Sequence, residues 1–130
     1  MRWMAFLVFL TASSLIAADA SDDVPDKDLV PQAQPVFTWL KAVKNGDQEE
    51  LKTVFSERMR KQFDEEGWDK VLMTYQDVFK KEFGDYTIED FAFEFAGGED
   101  EGNVFVVHKG KKLSGPRVIK ENGEWKVNER

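Results

Sequence analysis

Hydrophobic residues in the first half of the chain recur at the spacing of α-helices. The first helix is predicted from an apolar stripe made by Val36, Phe37, Leu40 and Val43. Asn45-Gly46 predicts its end, because glycine readily takes the left-handed conformation that follows a helix. Asp47 and Glu50 can then form the capping box of a second helix. The two helices are predicted to form a hairpin.

Two further apolar stripes predict the second and third helices. The second stripe consists of Leu51, Val54, Phe55 and Met59. The third helix is predicted near residues 65–83, where a broad stripe is made by Trp68, Val71, Leu72, Tyr75, Val78, Phe79 and Phe83. Gly84 predicts its end. The first half of the domain is therefore predicted to contain three helices.

After Gly84 the hydrophobic period changes from that of a helix to that of a strand. Four strands are predicted near residues 86–96, 103–109, 111–120 and 124–128. Asn122-Gly123 predicts a tight hairpin between the last two, because both residues tolerate a positive φ. The phase of the first strand switches near Glu89-Asp90, where we expect a bulge with Asp90 accepting backbone hydrogen bonds.

This order of elements predicts an α+β domain in which three N-terminal helices pack on a curved four-stranded antiparallel sheet. The domain is expected to span residues 36–130. Residues 21–35 are acidic and rich in proline, which predicts a flexible leader before it.

The first 20 residues have the order of a secretory signal peptide. Arg2 precedes an apolar run from Trp3 to Leu10, and small residues follow up to Ala18-Asp19-Ala20. The run is too short and too polar for a membrane-spanning helix, and no cysteine follows that could carry a lipid. We therefore expect cleavage near Ser21 and export to the periplasm or the extracellular space, with no stable membrane anchor.

Composition and charge argue against several kinds of partner and functional site. Removal of the expected signal peptide takes away one charge of each sign and leaves the net charge at −7, which argues against a nucleic-acid partner. The chain has no cysteine and one histidine, so a disulfide, a thiol nucleophile and a multi-histidine zinc site are excluded. The acidic turn at residues 97–103 lacks the spacing of a calcium loop. No cofactor and no metal are expected.

Two stretches of the chain resemble the nuclear-transport-factor-2-like domains, which are also called cystatin-like or SnoaL-like. Residues 35–57, with their Asn45-Gly46-Asp47 turn, resemble the opening of those domains, and residues 118–127 resemble their closing hairpin with its Gly-x-Trp. The chain looks most like small exported members related to the DUF4878 group. The resemblance implies a cone-shaped fold. Its members range from ketosteroid-isomerase-like enzymes and dehydratases to non-catalytic binding modules, so function is argued from the site.

Tyr75, Glu82 and His108 are the candidate catalytic residues. Tyr75 and Glu82 are seven residues apart within the third helix's stripe, so a carboxylate facing the sheet could transfer protons. The favoured interpretation, however, is that Glu82 extends into water and Tyr75 packs in the core. His108 could join them if Val104 and Val106 face inward. A surface position for His108 is favoured, because a solvated turn follows it.

Aromatic residues of the third helix and the sheet are the candidate ligand-binding residues. They are Trp68, Tyr75, Phe79, Phe91, Phe93 and Trp125. A non-catalytic domain that binds a small hydrophobic ligand or a protein partner is favoured, with a homodimer through the sheet as one form of partner. The alternative is an isomerase- or dehydratase-like enzyme that uses general acid–base residues in the cone.

Overall fold

The computed structural model describes residues 29–129, in which four helices precede a four-stranded antiparallel sheet. The helices are α1 (Gln34–Asn45), α2 (Gln48–Lys52), α3 (Glu57–Glu66) and α4 (Trp68–Phe83). The strands are β1 (Phe91–Gly97), β2 (Glu101–His108), β3 (Lys111–Glu121) and β4 (Glu124–Val127), paired in chain order. The predicted α+β class and antiparallel sheet are confirmed. The expected signal peptide and residues 21–28 lie outside the described residues.

The folded domain begins before residue 36. Residues Pro31–Ala33 form a 3-10 turn, and α1 starts directly after it. Ala33 is fully buried in the core, and Pro35 is buried as well. The leader expected up to residue 35 is therefore corrected: residues 31–35 belong to the domain, because Ala33 packs against it.

The predicted second helix is divided into α2 and α3, so the prediction of three helices is wrong. Between them, Phe55 forms a parallel bridge with Val127 of β4. The Ser56 N–H donates to the Val127 carbonyl at 2.8 Å, and the Val127 N–H donates to the Val54 carbonyl at 2.9 Å. Ser56 Oγ then caps α3 by accepting from the Met59 N–H at 3.4 Å. The chain leaves the helix because its backbone pairs with β4.

The turn between α1 and α2 forms as predicted in most respects. Gly46 is left-handed with φ 69°, and Asp47 Oδ1 accepts from the Glu50 N–H at 3.1 Å. The Glu50 carboxylate instead pairs with Lys41 at 3.3 Å. The cap is confirmed, whereas the expected capping box is only half made.

β1 starts later than predicted. Residues Ile88–Asp90 form a 3-10 turn, in which Asp90 Oδ2 accepts from the Thr87 N–H at 3.2 Å. The Tyr86 hydroxyl is buried and donates to the Leu40 carbonyl at 2.8 Å. The expected strand over residues 86–90 is thus wrong, because local capping and a buried hydrogen bond fix this segment. Asp90 accepts a backbone hydrogen bond as predicted, but it does so in a 3-10 turn and not in the expected bulge.

The sheet curls strongly around the helices. Phe95 of β1 and Trp125 of β4 lie on the two outermost named strands, yet their ring centroids are 5.5 Å apart. The 3-10 turn at residues 31–33 contacts both of these strands. A register shift between Asn103 and Phe105 bends β2 against β3. At the β3–β4 hairpin, Asn122 and Gly123 have φ of 53° and 82°, as predicted.

The core fills the space between the helices and the concave face of the sheet. Phe55 lies at its centre, and its ring contacts the rings of Trp39, Phe63, Trp68 and Tyr75. Within residues 29–129, no helix is both long enough and apolar enough to cross a membrane.

Candidate functional site

A cleft of about 320 Å³ lies where α1 and the C-terminal half of α4 meet β2 and β3. We call it the helix–sheet cleft. Its apolar lining consists of Val36, Trp39, Leu40, Val78, Phe79, Phe83, Val106, Leu113 and Pro116. Its other lining residues are Glu82, Ser114, Gly115 and Glu129. The cleft is therefore an apolar site with two carboxylates.

Helical spacing and a strand bulge position this lining. Val36, Trp39 and Leu40 lie at i, i+3 and i+4 on α1 and so share one face. Phe79, Glu82 and Phe83 repeat this spacing on α4, and Val78 lies one turn before Glu82. On β3, Gly115 lies against β2 so closely that a Cβ atom built on it would be 2.2 Å from the Val104 carbonyl oxygen. Glycine at this position lets β3 approach β2 beside the cleft.

The floor of the cleft is formed by packed rings. Trp39 lies edge-on to Tyr75 at 5.0 Å and to Phe79 at 5.4 Å between ring centroids. Its indole Nε1 is buried and has no hydrogen-bond acceptor among the described residues. Below the cleft the interior is therefore filled by aromatic side chains, and the space open to a ligand lies above Trp39 and Phe79.

The two carboxylates of the cleft differ in how they are held. Glu82 is exposed and has no hydrogen bond or ion pair with any described residue. Glu129 is anchored, because its Oε2 accepts from the Arg117 N–H at 3.1 Å and its own N–H lies 3.1 Å from Met59 Sδ. Among residues 29–129, no lysine, arginine or histidine lines the cleft. In the same range, no cluster of three or more acidic or histidine residues is placed to hold a metal.

Tyr75 belongs to the packed rings under the cleft and not to its lining. Burial raises the pKa of Tyr75 to about 12, and the nearby Glu129 and Glu66 carboxylates contribute to the rise. The phenol therefore stays protonated at neutral pH. A tyrosine can accept a proton near neutral pH only if its pKa is lowered, and the pKa of Tyr75 is raised instead.

His108 faces the interior, so its favoured surface position is wrong. The strand alternation that buries Val104 and Val106 places His108 on the same face. Its ring stacks on Phe91 at 4.6 Å and meets Phe83 edge-on at 5.0 Å. Its Nε2 is buried without a partner among the described residues, and the ring does not line the cleft.

The charge state of His108 makes stability depend on pH. Burial lowers its pKa, Lys109 and Lys111 lower it further, and Asp90 opposes them. Because the pKa of His108 is lower in the folded protein than in the unfolded chain, its contribution to the free energy of unfolding is fully present above the pKa of the unfolded state. This contribution is lost as the pH falls through the pKa of the folded state.

We expect the urea midpoint of the native chain to fall more between about pH 7 and pH 5 than that of His108→Phe. Parallel midpoints in the two proteins would contradict this placement.

The other candidate ligand-binding residues are dispersed. Trp68 is buried among Phe55 and Phe63, and its Nε1 donates to Asp64 Oδ1 at 2.7 Å. Phe91 is buried under His108, Phe93 packs against Phe37, and Trp125 packs against Phe95. Of all the residues singled out from the sequence as candidate sites, Phe79 and Glu82 line the cleft.

Sequence reasoning missed two important lining residues. Trp39 lies three residues after Val36 and four before Val43, so its helical spacing could have placed it on the inner face of α1. Glu129 follows β4 and reaches the cleft through its contacts with Arg117 and Met59. No sequence pattern marked that residue.

No family model, curated protein or solved structure matches this chain. The geometry of the cleft is therefore the basis on which a function is assigned.

Proposed function

We propose that this chain is an exported, non-catalytic domain of the nuclear-transport-factor-2-like cone type, which binds a small apolar molecule in the helix–sheet cleft. The observation that carries the proposal is the cleft itself. Three aromatic rings, those of Trp39, Phe79 and Phe83, line a space of about 320 Å³ between helices and sheet. Ligand sites in proteins are commonly apolar, concave and of about 300 Å³ or more.

Two features support the cone and the export. The curled sheet brings Phe95 and Trp125 together and wraps the helices, which suits a cone that closes at one end. The order of charged, apolar and small residues up to Ala20 supports export.

The placement of the candidate acid–base groups supports binding rather than catalysis. General acid–base chemistry needs its groups within hydrogen-bond reach of one ligand. Glu82 lines the cleft, whereas the rings of Tyr75 and His108 are packed behind Phe79 and Phe83. A ligand in the cleft would therefore contact carboxylates and apolar rings, without a poised proton acceptor and donor pair.

Binding of the neutral fluorophore Nile red to the chain from residue 21 onward tests this proposal. We expect saturable one-to-one binding to the native chain. In Val78→Trp a large side chain occupies the mouth of the cleft, so the affinity should fall by about tenfold or more. Val78 is 46% exposed, so the substitution leaves the core intact.

Met73→Trp is the matched control. Met73 is on the same helix, is 66% exposed and does not line the cleft, so Nile red should bind this variant as it binds the native chain. Equal binding by the native chain and Val78→Trp would place the fluorophore elsewhere and refute the proposed site.

A further inference from the structure

We infer that the ligand of the helix–sheet cleft is an apolar molecule that carries an ammonium group. The inference rests on the proposed function and names its class of ligand. The charged side chains that line the cleft are Glu82 and Glu129, and among residues 29–129 no lysine, arginine or histidine lines it. A cleft whose charges all have one sign favours a ligand of the opposite sign.

Hydrogen bonds hold Glu129 in place in the lining of the cleft. One carboxylate oxygen accepts from the Arg117 N–H at 3.1 Å, and the Glu129 carbonyl accepts from the Arg58 guanidinium. Arg58 thus binds the backbone of Glu129 and has no ion pair with its carboxylate among the described residues. The guanidinium of Arg117 is engaged by Glu101 at 2.8 Å. Within residues 29–129, the carboxylate of Glu129 therefore forms no ion pair with a lysine or an arginine.

Glu82 adds a second negative charge at an unfavourable position. It lies in the last turn of α4, where the helix dipole also presents its negative end. Neither neighbouring lysine forms an ion pair with Glu82: Lys81 pairs with Asp77 at 3.3 Å, and Lys80 lines a separate depression with Lys44 and Asp85. A bound ammonium would relieve the repulsion between the carboxylate and the helix end.

The aromatic lining suits the same group. The faces of tryptophan and phenylalanine rings attract cations, and the attraction is larger where water is excluded. Trp39, Phe79 and Phe83 supply three such rings in one small cleft. An aliphatic chain on the ammonium would lie along Val36, Leu40 and Leu113. Both halves of a cationic amphiphile therefore find matching surfaces.

Competition against Nile red with three ligands of equal chain length tests the inference. The ligands are decylamine, decanol and decanoic acid, each kept below its aggregation concentration at neutral pH. Decylamine should displace Nile red from the native chain at a concentration about tenfold lower than decanol does. Decanoate should be the weakest competitor, because the two carboxylates repel it.

The variants Glu82→Gln, Glu129→Gln and the double variant identify the source of the preference. Each single change should reduce the preference for decylamine over decanol, and the double change should bring the displacement concentrations of the two ligands together. Glu65→Gln is the matched control, because this exposed glutamate of α3 lies outside the cleft and its change alters the net charge by the same amount. It should keep the full preference.

The outcomes separate the two proposals. If Nile red binds in the cleft and decylamine shows no advantage, or keeps its advantage in the double variant, the inference is overturned and the proposed function stands. If neither Nile red nor any of the three ligands binds the native chain, both are overturned.

Discussion

Replacing Phe55 with alanine is expected to lower the free energy of unfolding by about 3–5 kcal/mol. The side chain is 0% exposed, and its ring lies 5.0 Å from that of Phe63, 5.4 Å from Trp39 and 6.0 Å from Tyr75. These neighbours belong to three different helices and cannot close the gap together. Small domains are stable by only about 5–15 kcal/mol, so urea unfolding of the variant should occur at a much lower midpoint.

Phe37→Ala is the control for this measurement. Phe37 is half-buried on α1 and packs against Phe93 at 6.5 Å. Alanine is well suited to a helix, and little cavity would remain, so we expect a loss of about 1 kcal/mol. Equal losses in the two variants would contradict the central position of Phe55.

Replacing Gly115 with alanine is expected to cost about 2–3 kcal/mol, at the upper end of the range for overpacking. The added Cβ would lie 2.2 Å from the Val104 carbonyl oxygen and 3.1 Å from Val106 Cγ2. The first of these atoms belongs to the backbone, so β2 and β3 must separate at the bulge. Urea unfolding should show the loss, and Nile red should bind more weakly because Gly115 and Val106 line the cleft.

Gly98→Ala is the matched change in the neighbouring β1–β2 turn. A Cβ atom there would be 4.0 Å from its nearest neighbour, the Glu101 carbonyl oxygen. Stability should change by about 0.5 kcal/mol or less. A stable Gly115→Ala variant would mean that the two strands are farther apart than described.

Local patterns were sufficient to predict most of the fold. The strands follow from alternation, and the β3–β4 turn follows from Asn122-Gly123, since both depend on residues close in sequence. The division between α2 and α3 could not be predicted in this way. Leu51, Val54 and Phe55 keep helical spacing, but the backbone around Phe55 pairs with Val127, which is distant in sequence.

The candidate site was less predictable than the fold for the same reason. Helical spacing could have placed Trp39 on the inner face of α1, and the same kind of spacing identified Glu82 on α4. The cleft, however, is created by the meeting of α1, α4 and a bulged β3, which no single segment encodes. The position of His108 depended on which face of β2 turned inward. The polar turn that follows it, at Lys109-Gly110, instead favoured a surface position.

The pairing of Phe55 with Val127 has a consequence for how this protein is made. The central ring of the core is fixed in place by backbone hydrogen bonds to β4, which is translated after the four helices and the other three strands. A growing chain therefore cannot complete its core until β4 has emerged from the ribosome.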